Sequence, residues 1–295
     1  YYLNEPVSAE NVFYIGVKSE DHQAGEFGFI GISTDKALVE FDGFGNPMPF
    51  TIPLGRAIPD GTPANPGLQT YLAISILTDQ IRSATVSITK THENFPDLVS
   101  QLTLNGQSAV LHNHTLLNGL EGGSNVTVLY DDTGSGQAGT IPSDGPGSLI
   151  SFLGNSGVGA WFLNTIDDAL GNVGVVTNFS LTLVANDFGE DFVRRCVEGG
   201  FISLEVINVP PEASRLTITI RNIDPPTALE VFIRRDQFPD ILNPANNDKY
   251  AQIPATGGSV SIGVRDVPPL QAGRYFIAVY NPSNFRVCYE IRGQL

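Results

Sequence analysis

Short apolar runs with the period of two that an extended backbone imposes recur along the whole chain, and helical periodicity is nearly absent. Val12–Val17, Ala84–Thr89, Leu216–Ile220, Leu229–Ile233 and Tyr275–Tyr280 are all of strand length. Turn residues separate the runs: Asp42-Gly43-Phe44-Gly45-Asn46-Pro47, Gly122-Gly123-Ser124-Asn125, Asp144-Gly145-Pro146-Gly147, Pro225-Pro226 and Gly257-Gly258. Many short strands cut by such turns predict an all-β chain of tandem β-sandwich or jelly-roll domains. Very little helix is expected; the only candidate is around Asn164–Leu170, and Gly171 would stop it early.

Size and charge narrow the function classes. At roughly 150 residues per domain, 295 residues suggest two domains and an extra piece. No apolar stretch approaches the ~18–20 residues of a membrane-spanning helix, so no membrane span is expected. The formal charge is −15, and the twelve Arg and four Lys form no stripe. Such a chain repels phosphate, which argues against nucleic acid as a partner. The opening Tyr1-Tyr2-Leu3 shows neither a basic n-region nor an apolar h-region. The expectation is a mature or excised piece of a longer precursor.

An internal repeat bears on the N-terminus. Asn11–Lys18 resembles Gly273–Tyr280, and each is followed by a loop and a second strand, Glu26–Ile32 and Arg286–Ile291. The second copy ends the chain and reads as the closing hairpin of a C-terminal sandwich. The first then reads as the closing hairpin of a preceding sandwich, with a linker to residue 50. A lone hairpin is marginal in water. It either packs on the next domain or completes a sheet contributed by something else. The alternative is convergence of two Tyr/Phe/Ile/Val strands.

The middle segment, residues 51–187, carries an ordered set of motifs. They are Thr91-His92-Glu93-Asn94-Phe95-Pro96-Asp97-Leu98, Leu129-Tyr130-Asp131-Asp132, Gly159-Ala160-Trp161-Phe162-Leu163, Gly171-Asn172-Val173-Gly174 and Asn178-Phe179-Ser180-Leu181-Thr182-Leu183. Together they resemble the P domain (P/Homo B) attached to subtilisin-like proprotein convertases and bacterial proteases. The resemblance implies a jelly roll and accessory, non-catalytic work. It departs at Leu104-Asn105-Gly106-Gln107, which replaces a Ser-Pro-x-Gly turn, and at Ile166, where Val is usual. Trp161 alternates with Leu163 and reads as core between two sheets, the other reading being a sugar-stacking platform.

Acid pairs stand at loop ends, Asp131-Asp132 and Asp167-Asp168, with Asp97 and Asp144 as further candidates. With backbone carbonyls they could give Ca²⁺ the six to eight oxygens it takes, and the resembled family often carries structural calcium. The competing role is capping of turns by the same side chains. Other motifs are weaker. Asp132-Thr133-Gly134-Ser135-Gly136 resembles an aspartic-protease loop, but that chemistry needs two carboxylates sharing a proton and no second loop exists. Gly154-Asn155-Ser156-Gly157 has no accompanying triad. His112-Asn113-His114 puts two imidazoles on one strand face, either a transition-metal pair or an exposed polar strand edge.

Residues 188–295 read as a further sandwich, with Phe201–Val206 and Leu216–Ile220 as early strands. Ala228-Leu229-Glu230-Val231-Phe232-Ile233-Arg234-Arg235 and Pro269-Leu270-Gln271-Ala272-Gly273-Arg274-Tyr275-Phe276-Ile277 resemble two strands of the bacterial pre-peptidase C-terminal domain. Ala228 stands where that family usually has Asp. The resemblance implies calcium in some members, with Glu190 and Asp191 the candidates here. Cys196 lies near the first strand and Cys288 in the last, which are often neighbours in sandwiches. They form either a disulfide, as suits a secreted protein, or two buried thiols.

These readings converge on non-catalytic modules of a secreted or cell-surface bacterial protein, with calcium as the expected cofactor. The partners are a parent protease or other domains of the precursor. A second reading is a self-assembling filament or surface-layer subunit, homo-oligomeric through the N-terminal hairpin. A third is a carbohydrate- or collagen-binding module using Tyr71, Tyr250, Tyr280 and Phe285.

Overall fold

A computed structural model describes residues 40–41, 47–51, 55–77, 79–116, 125–134 and 138–295. The strands Val12–Val17 and Glu26–Ile32 proposed for the N-terminal hairpin lie outside the described residues. Over the described part the chain is all-β. β1 (Glu40–Phe41) and β2 (Pro47–Met48) form a short antiparallel ladder. The first sandwich follows, with β3 (Phe50–Thr51), β4 (Ala57–Ile58), β5 (Gly67–Ser75), β6 (Ile81–His92), β7 (Leu98–Leu104), β8 (Gln107–Asn113), β9 (Val126–Tyr130), β10 (Thr140–Ile141), β11 (Gly159–Asp167) and β12 (Gly174–Ala185). Its sheets have the orders β10-β9-β6-β12-β4 and β3-β5-β11-β7-β8.

The second sandwich comprises β13 (Val193–Val197), β14 (Ile202–Val209), β15 (Arg215–Asp224), β16 (Leu229–Arg235), β17 (Lys249–Ile253), β18 (Gly258–Gly263), β19 (Gly273–Tyr280) and β20 (Val287–Gln294). Its sheets run β13-β20-β15-β18 and β14-β19-β16-β17.

Alternation explains the first core. Along β6, Ala84, Val86 and Ile88 point between the sheets, and along β11 so do Trp161 and Leu163. Val86, Ile88 and Leu163 each contribute about 1.5–3 kcal/mol when fully buried. Trp161 is fully buried, donates from Nε1 to the Gly157 carbonyl at 3.1 Å and lies 4.9 Å from the Phe152 ring. It is core. The same alternation overturns the helix expected over Asn164–Leu170. Residues 164–167 continue β11, because Thr165 and Asp167 keep the inward register set by Trp161 and Leu163.

The closing hairpin is also corrected. β19 pairs with β14 and β16, whereas β20 pairs with β13 and β15 in the opposite sheet. The connection crosses between layers about 10 Å apart. Buried Asn281 holds the crossing, donating from Nδ2 to the carbonyls of Val197 (3.2 Å) and Phe285 (2.7 Å).

Strands β14, β19 and β16 are buried on both faces, whereas the edge strand β17 exposes Tyr250 and Gln252. Along β19, Tyr275, Ile277 and Val279 enter the core of the second sandwich, while Phe276 and Ala278 join the core of the first. Ile202, Leu204, Val206 and Phe232 also face the first sandwich, and Ile207, Val209, Leu229, Val231 and Ile233 the second. A sheet covered on both sides reads as a continuous apolar run, as Tyr275–Tyr280 does. The two sandwiches therefore share apolar packing through this middle layer.

Candidate functional site

The six candidate metal-ligand aspartates are distributed among separate hydrogen-bond arrangements. Asp131 Oδ1 accepts from the Thr133 amide (2.8 Å) and hydroxyl (2.6 Å). Asp132 accepts from the Ser143 amide and hydroxyl, both at 2.6 Å, and from the Leu149 amide. Asp97 accepts from the side-chain amides of Asn94 (2.6 Å) and Asn172 (2.8 Å). Asp144 accepts from the Asn113 amide (2.8 Å) and the Thr115 hydroxyl. Asp167 meets His92 Nε2 at 3.1 Å and accepts from the Ala169 amide, and Asp168 lies 3.4 Å from His114 Nε2. Among the described residues no group of three or more His, Cys, Asp or Glu is placed to hold a metal ion. Glu190 and Asp191 fall in the loop before β13. In this structure Asp131, Asp132, Asp97 and Asp144 accept hydrogen bonds from turn and loop groups, while buried Asp167 pairs with His92 between strands.

The histidines depart from expectation. His112 and His114 do not share a strand face. The β7–β8 ladder shifts register between Ser100 and Gln101, and His114 leaves the strand with φ of 60°. His114 Nδ1 lies 2.7 Å from the Pro96 carbonyl. His112 is buried rather than exposed, in a polar column inside the first core. Lys90 Nζ lies 2.7 Å from His112 Nε2 and 3.5 Å from Ser100 Oγ, and Ser100 Oγ lies 3.2 Å from Thr165 Oγ1. With Lys90 donating, the imidazole proton sits on Nδ1, which faces Tyr130 Oη at 2.7 Å. The next layer along the strands holds His92 against Asp167.

Burial governs this column's charge. Desolvation pushes the Lys90 ammonium down to about 7. Burial, with Lys90 and His114 as added positive charge, pushes His112 well below the usual imidazole range. Burial and the Asp144 charge push Tyr130 up. Near neutral pH the column thus holds a neutral phenol and a neutral imidazole beside an amine whose charged form burial disfavours. The sequence reading missed Lys90, although it stands at an inward position of β6, where Ala84, Val86 and Ile88 set the register.

The second cluster lies where the sandwiches meet. Wholly buried Glu205 receives Arg195, Nε to Oε1 at 2.6 Å and Nη2 to Oε2 at 3.1 Å. Arg82 approaches Glu205 from the first sandwich at 3.7 Å, and Arg195 also binds Asp187. Burial pushes Asp187 up, but the hydrogen bonds and charge of Arg195 outweigh it and hold the carboxyl below its ordinary value. Arg274 donates from Nη1 to the carbonyls of Ser151 (3.1 Å) and Leu153 (2.7 Å), and Asn208 donates to the Gly154 carbonyl at 3.0 Å.

Beside these contacts opens a cleft of about 420 Å³ whose walls carry Arg82, Arg194, Arg195 and Arg286, with Asp131 the acidic group among its lining residues. Cys196 and Cys288, directly opposite on β13 and β20, are joined by a disulfide next to it, Cα to Cα 4.0 Å. The proposed aromatic row does not form as expected. Tyr71 is buried, while Tyr250 packs tilted against Phe232, ring centroids 5.0 Å apart.

No protein-family model matches this chain, and no curated protein matches it. Among solved structures, the STIV MCP aligns over 83% of this chain and 95% of its own, at 9% identity and a TM-score of 0.22. The major capsid protein P2 of bacteriophage PM2 aligns over 83% and 97%, at 12% identity and 0.25. The mavirus major capsid protein aligns over 98% and 93%, at 10% identity and 0.17. Scores this low leave function to be argued from the residues themselves.

Proposed function

We propose that this chain is a non-catalytic structural unit of a secreted or cell-surface bacterial protein, carried as an accessory block by a larger precursor such as a secreted peptidase. The observation that carries the reading is the sheet whose strands β14, β19 and β16 are buried on both faces. It makes one stiff body of two sandwiches, suited to spacing or bracing a neighbour rather than to closing on a substrate. The resemblances to the P domain and the pre-peptidase C-terminal domain support the accessory role, and the disulfide suits an oxidising compartment. The test is to delete these residues from the precursor and measure the secreted yield and thermal half-life of the remainder. Both should fall; unchanged values would overturn the reading.

A second reading, self-assembly, is favoured by the arginine-walled cleft. β13 and β14 are the edge strands of their two sheets, and both line it. An open edge is a template for another strand.

A further inference from the structure

We infer that the cleft at the junction of the sandwiches is the docking site for the acidic N-terminal segment, residues 1–39, of a second copy of this chain. The inference rests on the self-assembly reading and names the partner surface.

Charge comes first. The chain carries −15, yet four of its twelve arginines converge on one cleft. Arg82 and Arg195 are turned toward buried Glu205, and Arg195 also pairs with Asp187, which fixes both and leaves Arg194 and Arg286 as the groups open to a partner. Arg194 and Arg286 stand on the rim. Arg194 lies across the ladder from Glu290, and Arg286 is 3.6 Å from Glu198 with both side chains about half exposed. An exposed pair of that kind is worth little in water and is easily exchanged for a better one.

Shape comes second. The cleft is bordered by Val193–Val197 and by the start of β14, and among the described residues no strand pairs with the free side of either. Its volume is within the range of pockets that hold specific ligands. An extended segment laid here would meet backbone donors and acceptors along β13 and guanidinium groups on both sides.

Residues 1–39 hold six acids (Glu5, Glu10, Glu20, Asp21, Glu26 and Asp35) against Lys18 and Lys36. Between Glu10 and Glu20 lies the strand-like run Asn11–Lys18. Acidic residues flanking an apolar strand are complementary to an open strand edge flanked by arginines. A head-to-tail contact of this kind builds a ring where the rotation between copies closes and an open chain where it does not.

The test uses the full chain and a labelled peptide spanning Glu5–Asp21. Fluorescence anisotropy should show binding to the wild type and at least tenfold weaker binding to Arg194→Glu/Arg286→Glu, whose two sites are exposed and whose fold is checked by circular dichroism. A peptide carrying Glu10→Lys and Glu20→Lys should recover binding to that variant. By light scattering, the wild-type mass should rise with concentration and that of the variant should not. Mixing the variant with a full chain carrying Glu10→Lys/Glu20→Lys should restore assembly. Equal peptide binding by wild type and variant overturns the inference, as does a wild type that stays monomeric at every concentration. Assembly that persists in the variant overturns it while leaving self-assembly standing. None of these results touches the accessory-unit reading, which rests on the shared core.

Discussion

Arg274, on a strand with both faces covered, reaches out of its own sandwich and caps the carbonyls of Ser151 and Leu153 in the other, at 3.1 and 2.7 Å. Its neighbour Gly154 has φ of 77°, and a β-carbon there would sit 2.8 Å from Arg274 Cδ and 2.9 Å from Val206 Cγ2. The close approach and the positive φ together require glycine. Arg274→Ala should cost about 2–3 kcal/mol, since it strands carbonyls that a charged donor had satisfied. Gly154→Val should cost a similar amount through overpacking. Urea unfolding of each variant checks both; values within 0.5 kcal/mol of wild type, on the order of an ordinary surface change, would contradict the account.

Lys90 makes stability depend on pH. Its folded-state value is pushed down to about 7 from 10.5, so between those limits the unfolded chain binds the extra proton. Stability therefore rises with pH across this window, and below it the group adds no further slope. Lys90→Met should flatten the rise and be more stable than wild type at pH 7. Denaturant midpoints at pH 7, 8 and 9 read the slope. An unchanged slope in the variant would show that Lys90 is not its source.

The disulfide spans 92 residues of sequence between the first and last strands of the second sandwich. Replacing Cys196 and Cys288 by Ser should lower unfolding free energy by about 2–4 kcal/mol. Because Cys196 also borders the cleft, the double variant tests whether the edge of β13 stays in place. Hydrogen exchange over residues 193–197 should quicken more than over β19. Equal protection in variant and wild type would contradict this.

Asp132 joins the end of β9 to the loops at Ser143 and Leu149 through three hydrogen bonds. Asp132→Ala should destabilise by about 1–3 kcal/mol, the cost of leaving such donors unpaired. If these bonds are what the acidic loops contribute, a calcium chelator should leave the wild-type melting temperature unchanged. A drop on chelation, reversed by calcium, would instead assign these carboxylates to a metal.

The fold class was legible because period-two runs and turn clusters are local signals, and the inward position of Trp161 followed from the same alternation. The polar column was not. Lys90 and His112 are ordinary polar residues in sequence, and they stand on opposite sheets, so only the packing of the two sheets face to face brings them together. The β8 bulge then breaks the simple spacing that had placed His112 and His114 side by side. The junction was half visible. Tyr275–Tyr280 is apolar without interruption, which is what a sheet covered on both faces requires, but what covers the second face is a long-range fact. The gathering of Arg82 with Arg194, Arg195 and Arg286 depends on that same packing and has no local trace.

The central claim is that two sandwiches share one core through the sheet built on β14, β19 and β16. Differential scanning calorimetry of the intact chain tests it most directly. A shared core unfolds in one cooperative transition, with calorimetric and van't Hoff enthalpies in agreement, and that transition should broaden or split in Gly154→Val. Two well-separated transitions in the wild type would show that the sandwiches unfold independently and would contradict the claim.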